Sequence, residues 1–273
     1  MAILRTIVWF FYFFGALIVL TPKMNEAKRR KAAGDESGCR AIVDRYVPMW
    51  MSTLMRIAGC TVTVNGLENI PKDRAVVFTP NHQSDYDIPI TLVHLDRPHA
   101  LVAKVETLKI PLVRTWMKLF DCVFIDRKNP RQAVTAMKEA GALLARGESV
   151  IVFPEGTRSK GDAMGEFKHG AFKMAFAAGA PVVPVVIDGS YKIMEANHNL
   201  MCPGHVTMTV LPPIETAGLD RAAQKALPDE VVRRIAAHKD KTTAHCIKAC
   251  GQARRDTYNR KRETRVWQAR ATH

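Results

Sequence analysis

The chain has 273 residues, with 40 Lys and Arg against 26 Asp and Glu, which gives a formal net charge of +14. Its 47% hydrophobic and 24% charged residues are typical of a globular protein with a sizeable core, and they exclude a disordered chain and a polytopic transporter. The positive charge predicts an anionic partner. Charge alone does not decide whether that partner is nucleic acid, an anionic membrane surface or a phosphorylated substrate.

The first predicted element is an apolar helix near the N-terminus. Residues 7–20, IVWFFYFFGALIVL, carry no charge, and basic residues flank them on both sides. A helix of this length extends about 21 Å at ~1.5 Å per residue, short of the ~30 Å hydrocarbon core of a bilayer unless neighbouring residues extend it. No small-residue cleavage site follows, so we favour a retained membrane anchor over a cleaved signal peptide. The basic cluster after it would place the rest of the chain in the cytoplasm.

A second helix is predicted over residues 40–60. Its apolar residues recur at helical spacing, at Val43, Val47, Trp50, Leu54 and Ile57. Pro48 predicts a kink within this helix. Two interpretations remain open: the helix packs on a domain core, or it lies in the bilayer interface beside the apolar helix. We assign residues 1–60 to an N-terminal pair of membrane-anchoring helices.

From residue 61 onward, strand-like runs alternate with helical runs. Seven strands are predicted, beginning at Thr61, Ala75, Ala100, Cys122, Ser149, Val182 and Val206. The clearest helix covers residues 131–146, and Gly147 is placed to end it. This alternation predicts an α/β fold with a largely parallel central sheet flanked by helices, over residues 61–215.

The C-terminal part has a different composition from the predicted sheet domain. Residues 219–273 contain 14 Lys and Arg against 6 Asp and Glu, and we assign residues 216–273 to a basic helical extension. Within it, Cys246 and Cys250 lie one helical turn apart beside His245. No second pair completes a four-ligand zinc set, so we predict no metal site.

A histidine and a carboxylate follow the strand AVVFT. His82 precedes Asp87 by five residues, at the carboxyl end of a strand, where α/β folds bind their ligands. On one continuous helix the two side chains would point about 140° apart at ~100° per residue, so they meet only if His82 lies in the turn and Asp87 begins the helix. A carboxylate on one ring nitrogen would leave the other free to accept a hydroxyl proton. The spacing alone is more typical of an unrelated loop histidine and surface charge.

Cationic residues follow three other predicted strands. Arg158 lies in the segment PEGTRS after SVIVF, where glycine opens the backbone and hydroxyls accompany the guanidinium, a combination that suits a phosphate monoester. Lys104 and Arg127 each follow a strand of their own. Taken singly, each residue is typical of a surface charge. The motifs G-x-S-x-G, G-x-G-x-x-G and H-E-x-x-H are absent, so serine hydrolysis, dinucleotide redox chemistry and zinc proteolysis have no support.

Four sequence blocks occur in one order over residues 81–187: NHQSDYD, FIDR, FPEGTRS and VVPVVI. This order resembles the pattern of the glycerophospholipid acyltransferase superfamily and is most similar to that of 1-acyl-sn-glycerol-3-phosphate acyltransferases. The segments AKVETLKIP and FKHGAFKMA extend the similarity. One departure is Asp121, which stands where the second block of the family commonly begins with glycine.

The resemblance implies direct acyl transfer without an acyl-enzyme or a cofactor. His82, oriented by Asp87, would act as general base on the sn-2 hydroxyl of 1-acyl-glycerol-3-phosphate, and the product would be phosphatidic acid. The acyl donor would be acyl-CoA or acyl-carrier protein. Arg127 and Arg158 would hold the acceptor phosphate, while Cys122 would only pack in the core. The full set implied to bind substrate and phosphate is Lys104, Arg127, Glu155, Gly156, Thr157 and Arg158, with Glu155 ordering its loop.

The resemblance also implies a location. A lysophosphatidic acid acceptor resides in a membrane whereas the donor is polar, so the enzyme would be membrane-associated, with its catalytic domain on the cytoplasmic face and its basic extension on anionic lipid. The alternatives are the same chemistry on glycerol 3-phosphate or a lyso-aminolipid, and a catalytically silent lipid-binding protein. A nucleic-acid partner is disfavoured because the basic tail lacks interleaved aromatic residues.

Overall fold

A computed structural model of the chain describes residues 1–239. Three helices come first: α1 (Ala2–Val19), α2 (Thr21–Ala32) and α3 (Glu36–Ala58). The strands are β1 (Cys60–Asn65), β2 (Val77–Pro80), β3 (Ala100–Lys104), β4 (Val123–Ile125), β5 (Val150–Ile151), β6 (Val182–Asp188) and β7 (Gly204–Val210). The remaining helices are α4 (Asp87–His94), α5 (Pro111–Leu119), α6 (Pro130–Ala145), α7 (Lys173–Ala178) and α8 (residues 221–239).

All seven predicted strands join one sheet, in the order β1-β7-β6-β2-β5-β3-β4. Every neighbouring pair is parallel except β6 and β7, which are antiparallel. Strands β2, β5 and β6 lie inside the sheet and are buried almost throughout, as expected for parallel strands covered on both faces. The predicted α/β class with a largely parallel central sheet is confirmed.

Alternate residues of the strands point to two separate cores. Phe78 and Ile151 belong to a core on the side of helices α1 to α5, which we call the α3 face. Val77 and Val150, one position earlier in the same strands, belong to a core under α6, α7 and α8, the α6 face. Because β2, β3, β4 and β5 run parallel, the turns that follow them lie along one edge of the sheet.

The N-terminal region contains three helices where the sequence predicted two. Helix α1 begins at Ala2 and has 18 residues, which extend about 27 Å. It is long and apolar enough to cross a membrane, and only 6% of this segment is buried. Helix α2 was not predicted because it is polar: Met24 and Ala27 are its buried residues, too few to produce an apolar period.

Helix α2 also explains the unusual residue before β4. Asp121 has a φ of +58°, in the left-handed region where glycine is favoured and where Asp is one of the better tolerated side chains. Its carboxylate forms an ion pair of 2.7 Å with Lys31 at the end of α2. An aspartate is therefore accommodated at a position where the family commonly has glycine, and it ties α2 to the sheet.

Helix α3 packs its apolar stripe on the sheet. Val43, Val47, Trp50 and Leu54 are buried in the α3 face, and the helix continues through Pro48. The Phe13 ring of α1 contacts Trp50, with ring centroids 5.1 Å apart. These contacts favour the core-packing interpretation of this helix. The boundary at residue 60 stays a prediction, although the helices before it share a core with the sheet.

The C-terminal extension begins with an ordinary packed helix. Leu227, Val231 and Ile235 of α8 are buried in the α6 face. Lys239, at the end of the described region, donates to the carbonyl oxygen of Asp162 at 2.6 Å and to its carboxylate at 2.8 Å. Helix α8 is thereby connected to the loop that follows β5. The rest of the predicted basic extension lies outside the described residues, including His245, Cys246 and Cys250.

Candidate active site

His82 and Asp87 meet at the carboxyl end of β2. His82 lies in the turn after the strand, Asp87 is the first residue of α4, and His82 Nδ1 is 2.8 Å from Asp87 Oδ2. Because an ionised carboxylate only accepts hydrogen bonds, the proton of a neutral imidazole lies on Nδ1 here, which leaves the lone pair of Nε2 free. The His82 ring also stacks on Phe153, with centroids 4.1 Å apart. The geometry predicted for this pair is the one observed.

Asp87 is fully buried and accepts four hydrogen bonds. Besides His82, Oδ2 accepts from the backbone N–H groups of Gln83 at 2.6 Å and Ser84 at 2.8 Å. Oδ1 accepts from the Ser190 hydroxyl. These hydrogen bonds replace those that the carboxylate would form with water. They also keep Oδ2 in position to accept from the imidazole.

Ser190 was not singled out by the sequence reasoning. It is fully buried in the turn after β6, just past Gly189, whose φ of +91° lets the chain bend sharply. β6 is the strand beside β2, so this turn lies next to the His82 turn. The sequence signal that could have indicated Ser190 is the polar triplet Asp188-Gly189-Ser190 at the carboxyl end of a strand.

Replacing Ser190 with alanine is expected to lower the kcat of a reaction in which His82 acts as base about tenfold, with little change in KM. Asp87 would keep three of its four donors and would hold His82 less firmly, because a hydrogen bond to a charged group contributes about 1.5–3 kcal/mol. Ser190→Thr, which retains a hydroxyl, should recover much of the rate. Steady-state kinetics of both variants tests this, and equal losses in the two would contradict a role for the hydroxyl.

Glu155 connects the two loops of the site. Its Oε1 accepts from the backbone N–H of His82 at 2.6 Å, and its Oε2 accepts from that of Gly165 at 2.6 Å. Burial raises the pKa of the Glu155 carboxyl, and the two backbone N–H groups partly offset that effect. The loops also join through backbone hydrogen bonds, from Ser159 N to His82 O at 2.8 Å and from Lys160 N to Gln83 O at 3.1 Å. These contacts fit the loop-ordering role predicted for Glu155.

Arg158 lies beside this pair of loops, between two carboxylates. Its guanidinium contacts Asp85 and lies 3.1 Å from Glu195. Glu195 is nearly buried and also accepts from the Ser84 hydroxyl at 2.6 Å and from the backbone N–H of Asp85 at 2.9 Å. Sequence reasoning missed Glu195, which follows β6 in an irregular segment without a recognisable pattern. A phosphate at Arg158 would replace one of its carboxylate partners.

The other predicted residues lie along the same edge of the sheet. Lys104 ends β3, Arg127 follows β4, and Thr157 follows β5, all with exposed side chains. Gly156 is buried with a φ of +72°, which favours glycine at that position. Three strand spacings separate β2 from β4, so the His82 and Arg127 turns are about 14 Å apart at ~4.8 Å per spacing. The structure thus joins His82, Asp87, Glu155 and Arg158 in one network and spreads the other cations beside it.

A cavity of about 230 Å³ opens next to this network. Its wall is apolar, from β3, β4, β5 and α6, and includes Val102, Ile125, Met137 and Val152. Arg127 and Gly156 line it, and so do two lysines that sequence reasoning did not assign, Lys168 and Lys173. Both lysines fall in or beside the segment FKHGAFKMA, which was noted only for its similarity to the family.

Cys122 is expected to be dispensable for activity. It is buried, burial raises the pKa of its thiol, and its sulfur accepts a weak hydrogen bond from Leu101 N at 3.4 Å. A protonated, inaccessible thiol is a poor nucleophile. Cys122→Ala should retain activity within about twofold and lose about 1–2 kcal/mol of stability, measurable by thermal unfolding. A hundredfold loss of kcat in folded protein would instead indicate covalent catalysis.

Comparison with known proteins identifies the family. A family model described as Acyltransferase matches residues 61–188. A 1-acyl-sn-glycerol-3-phosphate acyltransferase from Borreliella burgdorferi is 30% identical over 183 residues, which cover 66% of this chain and 73% of that protein. The chain belongs to the 1-acyl-sn-glycerol-3-phosphate acyltransferase family. The resemblance inferred from the four sequence blocks is confirmed, and all four blocks lie within residues 61–188.

Two further relatives show how much of the acyltransferase chain is shared. A probable 1-acyl-sn-glycerol-3-phosphate acyltransferase from Mycoplasma pneumoniae is 39% identical over 154 residues, 55% of this chain and 58% of that protein. The crystal structure of the 1-acyl-sn-glycerophosphate (LPA) acyltransferase PlsC from Thermotoga maritima has a TM-score of 0.71 and 29% identity, covering 88% of this chain and 98% of that one. The chain spans about half to three fifths of the length of several curated relatives.

Proposed function

We propose that this protein transfers a fatty acyl group from a thioester donor to the sn-2 hydroxyl of 1-acyl-glycerol-3-phosphate, which yields phosphatidic acid. The observation that carries the proposal is the His82–Asp87 pair, whose 2.8 Å contact through Nδ1 leaves Nε2 of the neutral imidazole available to accept a proton. Membership of a family whose members are named for this reaction supports the choice of acceptor.

In the proposed mechanism His82 removes a proton and later returns it. Nε2 accepts the proton of the acceptor hydroxyl as its oxygen attacks the thioester carbonyl, forming a C–O bond. The tetrahedral intermediate then collapses, the C–S bond breaks, and the thiolate receives the proton from Nε2. Asp87 remains ionised throughout and stabilises the transient imidazolium. The ester and the free thiol are the products, so no acyl-enzyme and no redox cofactor are needed.

The predicted cations would hold the phosphate of the acceptor. We assign this role to Arg127 and Arg158, with help from Lys104, the Gly156 backbone and the Thr157 hydroxyl. Arg158 would exchange Asp85 or Glu195 for the phosphate, so substrate binding and the order of the His82 turn would be coupled. The acceptor would enter from the membrane, and a site on the cytoplasmic face would give the polar donor access to it.

The apolar surface of α1 supports a location at the membrane. Several of its large side chains are mostly exposed, among them Ile3, Ile7, Phe11 and Ile18. The opposite stripe of the helix packs on α3 through Phe13 and Leu17. A helix that packs on the domain along one side and exposes apolar residues along the other is suited to insertion beside the catalytic domain.

The test is an acyl-transfer assay with detergent-purified full-length protein. Palmitoyl-CoA and palmitoyl-carrier protein would each be offered with 1-acyl-glycerol-3-phosphate, glycerol 3-phosphate and a lyso-aminolipid, and labelled products would be separated by chromatography. We expect phosphatidic acid as the main product, dependent on both substrates. Faster transfer to another acceptor would contradict the proposed substrate, and no product from any pair would contradict acyl transfer.

A further inference from the structure

The cavity beside the active site opens on the side of the sheet away from α1. Its wall residues Met137 and Val152 belong to the core of the α6 face, and Val102 and Ile125 pack against that same core. Helix α1, by contrast, packs on the α3 face. The cavity and the apolar surface of α1 therefore lie on opposite faces of the same sheet.

The cavity adjoins the loop that contacts the His82 turn. Gly156 lines the cavity, and the preceding residue, Glu155, accepts from the backbone N–H of His82 at 2.6 Å. Phe153 also borders the cavity, but its ring packs in the α3 face, where it stacks on His82. The cavity volume of about 230 Å³ is far above the ~15 Å³ that holds one water-sized group, so several heavy atoms fit in it. That is enough for the thiol-bearing end of a flexible arm, with the rest of the arm outside. A group held there would lie beside the loop that contacts the His82 turn.

The rim of the cavity is cationic and exposed to solvent. Lys168 lies over the loop after β5. Its Nζ is 3.5 Å from the position that a Cβ atom would occupy if Gly156 had a side chain. Lys173, at the start of α7, lines the same opening, and both side chains are exposed. Among residues 1–239 neither lysine forms an ion pair with a carboxylate, in contrast to Arg158. Two unpaired ammonium groups at the mouth of an apolar slot suit an anionic group on a less polar chain.

The two substrates of the proposed reaction differ in the side from which they approach. The acceptor is a bilayer lipid and would come from the face that carries α1, whereas the donor is water-soluble and bears phosphate. We propose that this cavity binds the end of the phosphopantetheine arm of the acyl donor, with Lys168 and Lys173 binding donor phosphate. This assignment rests on the proposed function. Arg127 and Gly156 line this cavity and are also assigned to the acceptor phosphate. They therefore lie between the proposed donor and acceptor sites, which must adjoin for the two substrates to react.

Removing the two lysines should weaken donor binding alone. The double variant Lys168→Ala/Lys173→Ala is compared with Lys72→Ala/Lys225→Ala, which removes the same charge from exposed positions outside the cavity lining. Calorimetric titration with CoA, without acceptor or turnover, should show Kd raised at least tenfold in the first variant and within twofold of wild type in the second. Unchanged CoA affinity in both would overturn the assignment.

Kinetics separate this assignment from its nearest rival. We expect the KM for palmitoyl-CoA to rise about tenfold in Lys168→Ala/Lys173→Ala, with the acceptor KM within twofold of wild type. A rise in the acceptor KM alone would assign the lysines to the acceptor phosphate and overturn the proposal. Repeating the measurement with palmitoyl-carrier protein distinguishes the two donor sources. The single phosphodiester of that carrier should give a smaller effect if the lysines bind the additional phosphates of CoA.

The outcome also distinguishes failure of this site from failure of the proposed function. Lysine-dependent binding of CoA in a wild-type protein that transfers no acyl group would support the site and contradict the proposed acceptor chemistry. Normal acyl transfer with unchanged donor binding and KM in the lysine variant would support the function and contradict the site.

Discussion

Substituting alanine for His82 is expected to reduce kcat for acyl transfer by about 10²–10⁴-fold, the usual contribution of a positioned general base. The acceptor hydroxyl would then lose its proton to water while the site still bound both substrates, so KM values should change little. The effect should be measured with labelled palmitoyl-CoA under single-turnover and steady-state conditions, because slow release of a lipid product would mask a chemical step.

His205→Ala is the matched control for this experiment. His205 is an exposed histidine of β7 that contacts the hydroxyls of Thr61 and Thr63, outside the network around Asp87. Its replacement should leave kcat within about twofold, and both variants should unfold near the wild-type temperature. A His82→Ala protein that keeps its fold and at least a tenth of the wild-type kcat would rule out the proposed general base.

Asp87→Asn should reduce kcat nearly as much as His82→Ala does. The reason is that Asp87 acts on the imidazole of His82 and does not contact the substrate. The asparagine amide can present its NH₂ group to Nδ1, which would then accept a hydrogen bond and leave Nε2 protonated, the wrong tautomer for a base. Loss of the orienting carboxylate costs up to about 10⁴-fold in kcat in catalytic triads. We expect a reduction of at least 10³-fold, with kcat affected much more than either KM.

A matched control tests whether Asp87 acts by positioning His82. Asp229→Asn, at an exposed position of α8, removes the same charge outside the site and should leave kcat and both KM values unchanged. Folded Asp87→Asn protein with a wild-type kcat would contradict the positioning role.

The same substitution should also lower stability, which needs a separate measurement. Two backbone N–H groups and the Ser190 hydroxyl donate to the buried carboxylate, and an amide cannot accept from all of them. Leaving one buried donor unsatisfied costs about 1–3 kcal/mol. Thermal unfolding of Asp87→Asn beside wild type gives this cost, and activity should be compared at a temperature where both are folded.

Much of the fold follows directly from local patterns in the sequence. The seven strands coincide with short runs of β-branched and apolar residues, and α6 lies within one residue of its predicted limits, between Asn129 and Gly147. Buried parallel strands must be apolar on both faces, so such runs are conspicuous. The polar α2 has no comparable apolar pattern. It is positioned by packing against α3 and α5 and by the ion pair of Lys31 with Asp121.

The candidate site likewise has one part that the sequence predicted and another that only the structure revealed. His82 and Asp87 were predictable because they are five residues apart, and one strand and one helix start determine their geometry. Ser190 and Glu195 lie more than a hundred residues further along the chain. Only the adjacency of β6 to β2 brings them to Asp87 and Ser84, and neither residue carries a motif of its own.

The sequence by itself therefore determined the α/β class, the family and the meeting of His82 with Asp87, because each depends on local periodicity or on motifs of a few residues. Only the tertiary structure decided which charges are engaged and which are free. It paired Arg158 with Asp85 and Glu195, and it placed Lys168 and Lys173 without carboxylate partners within residues 1–239 at the rim of an apolar cavity. The physical reason is that ion pairing depends on distances of a few ångströms between side chains, which strand order and loop packing set.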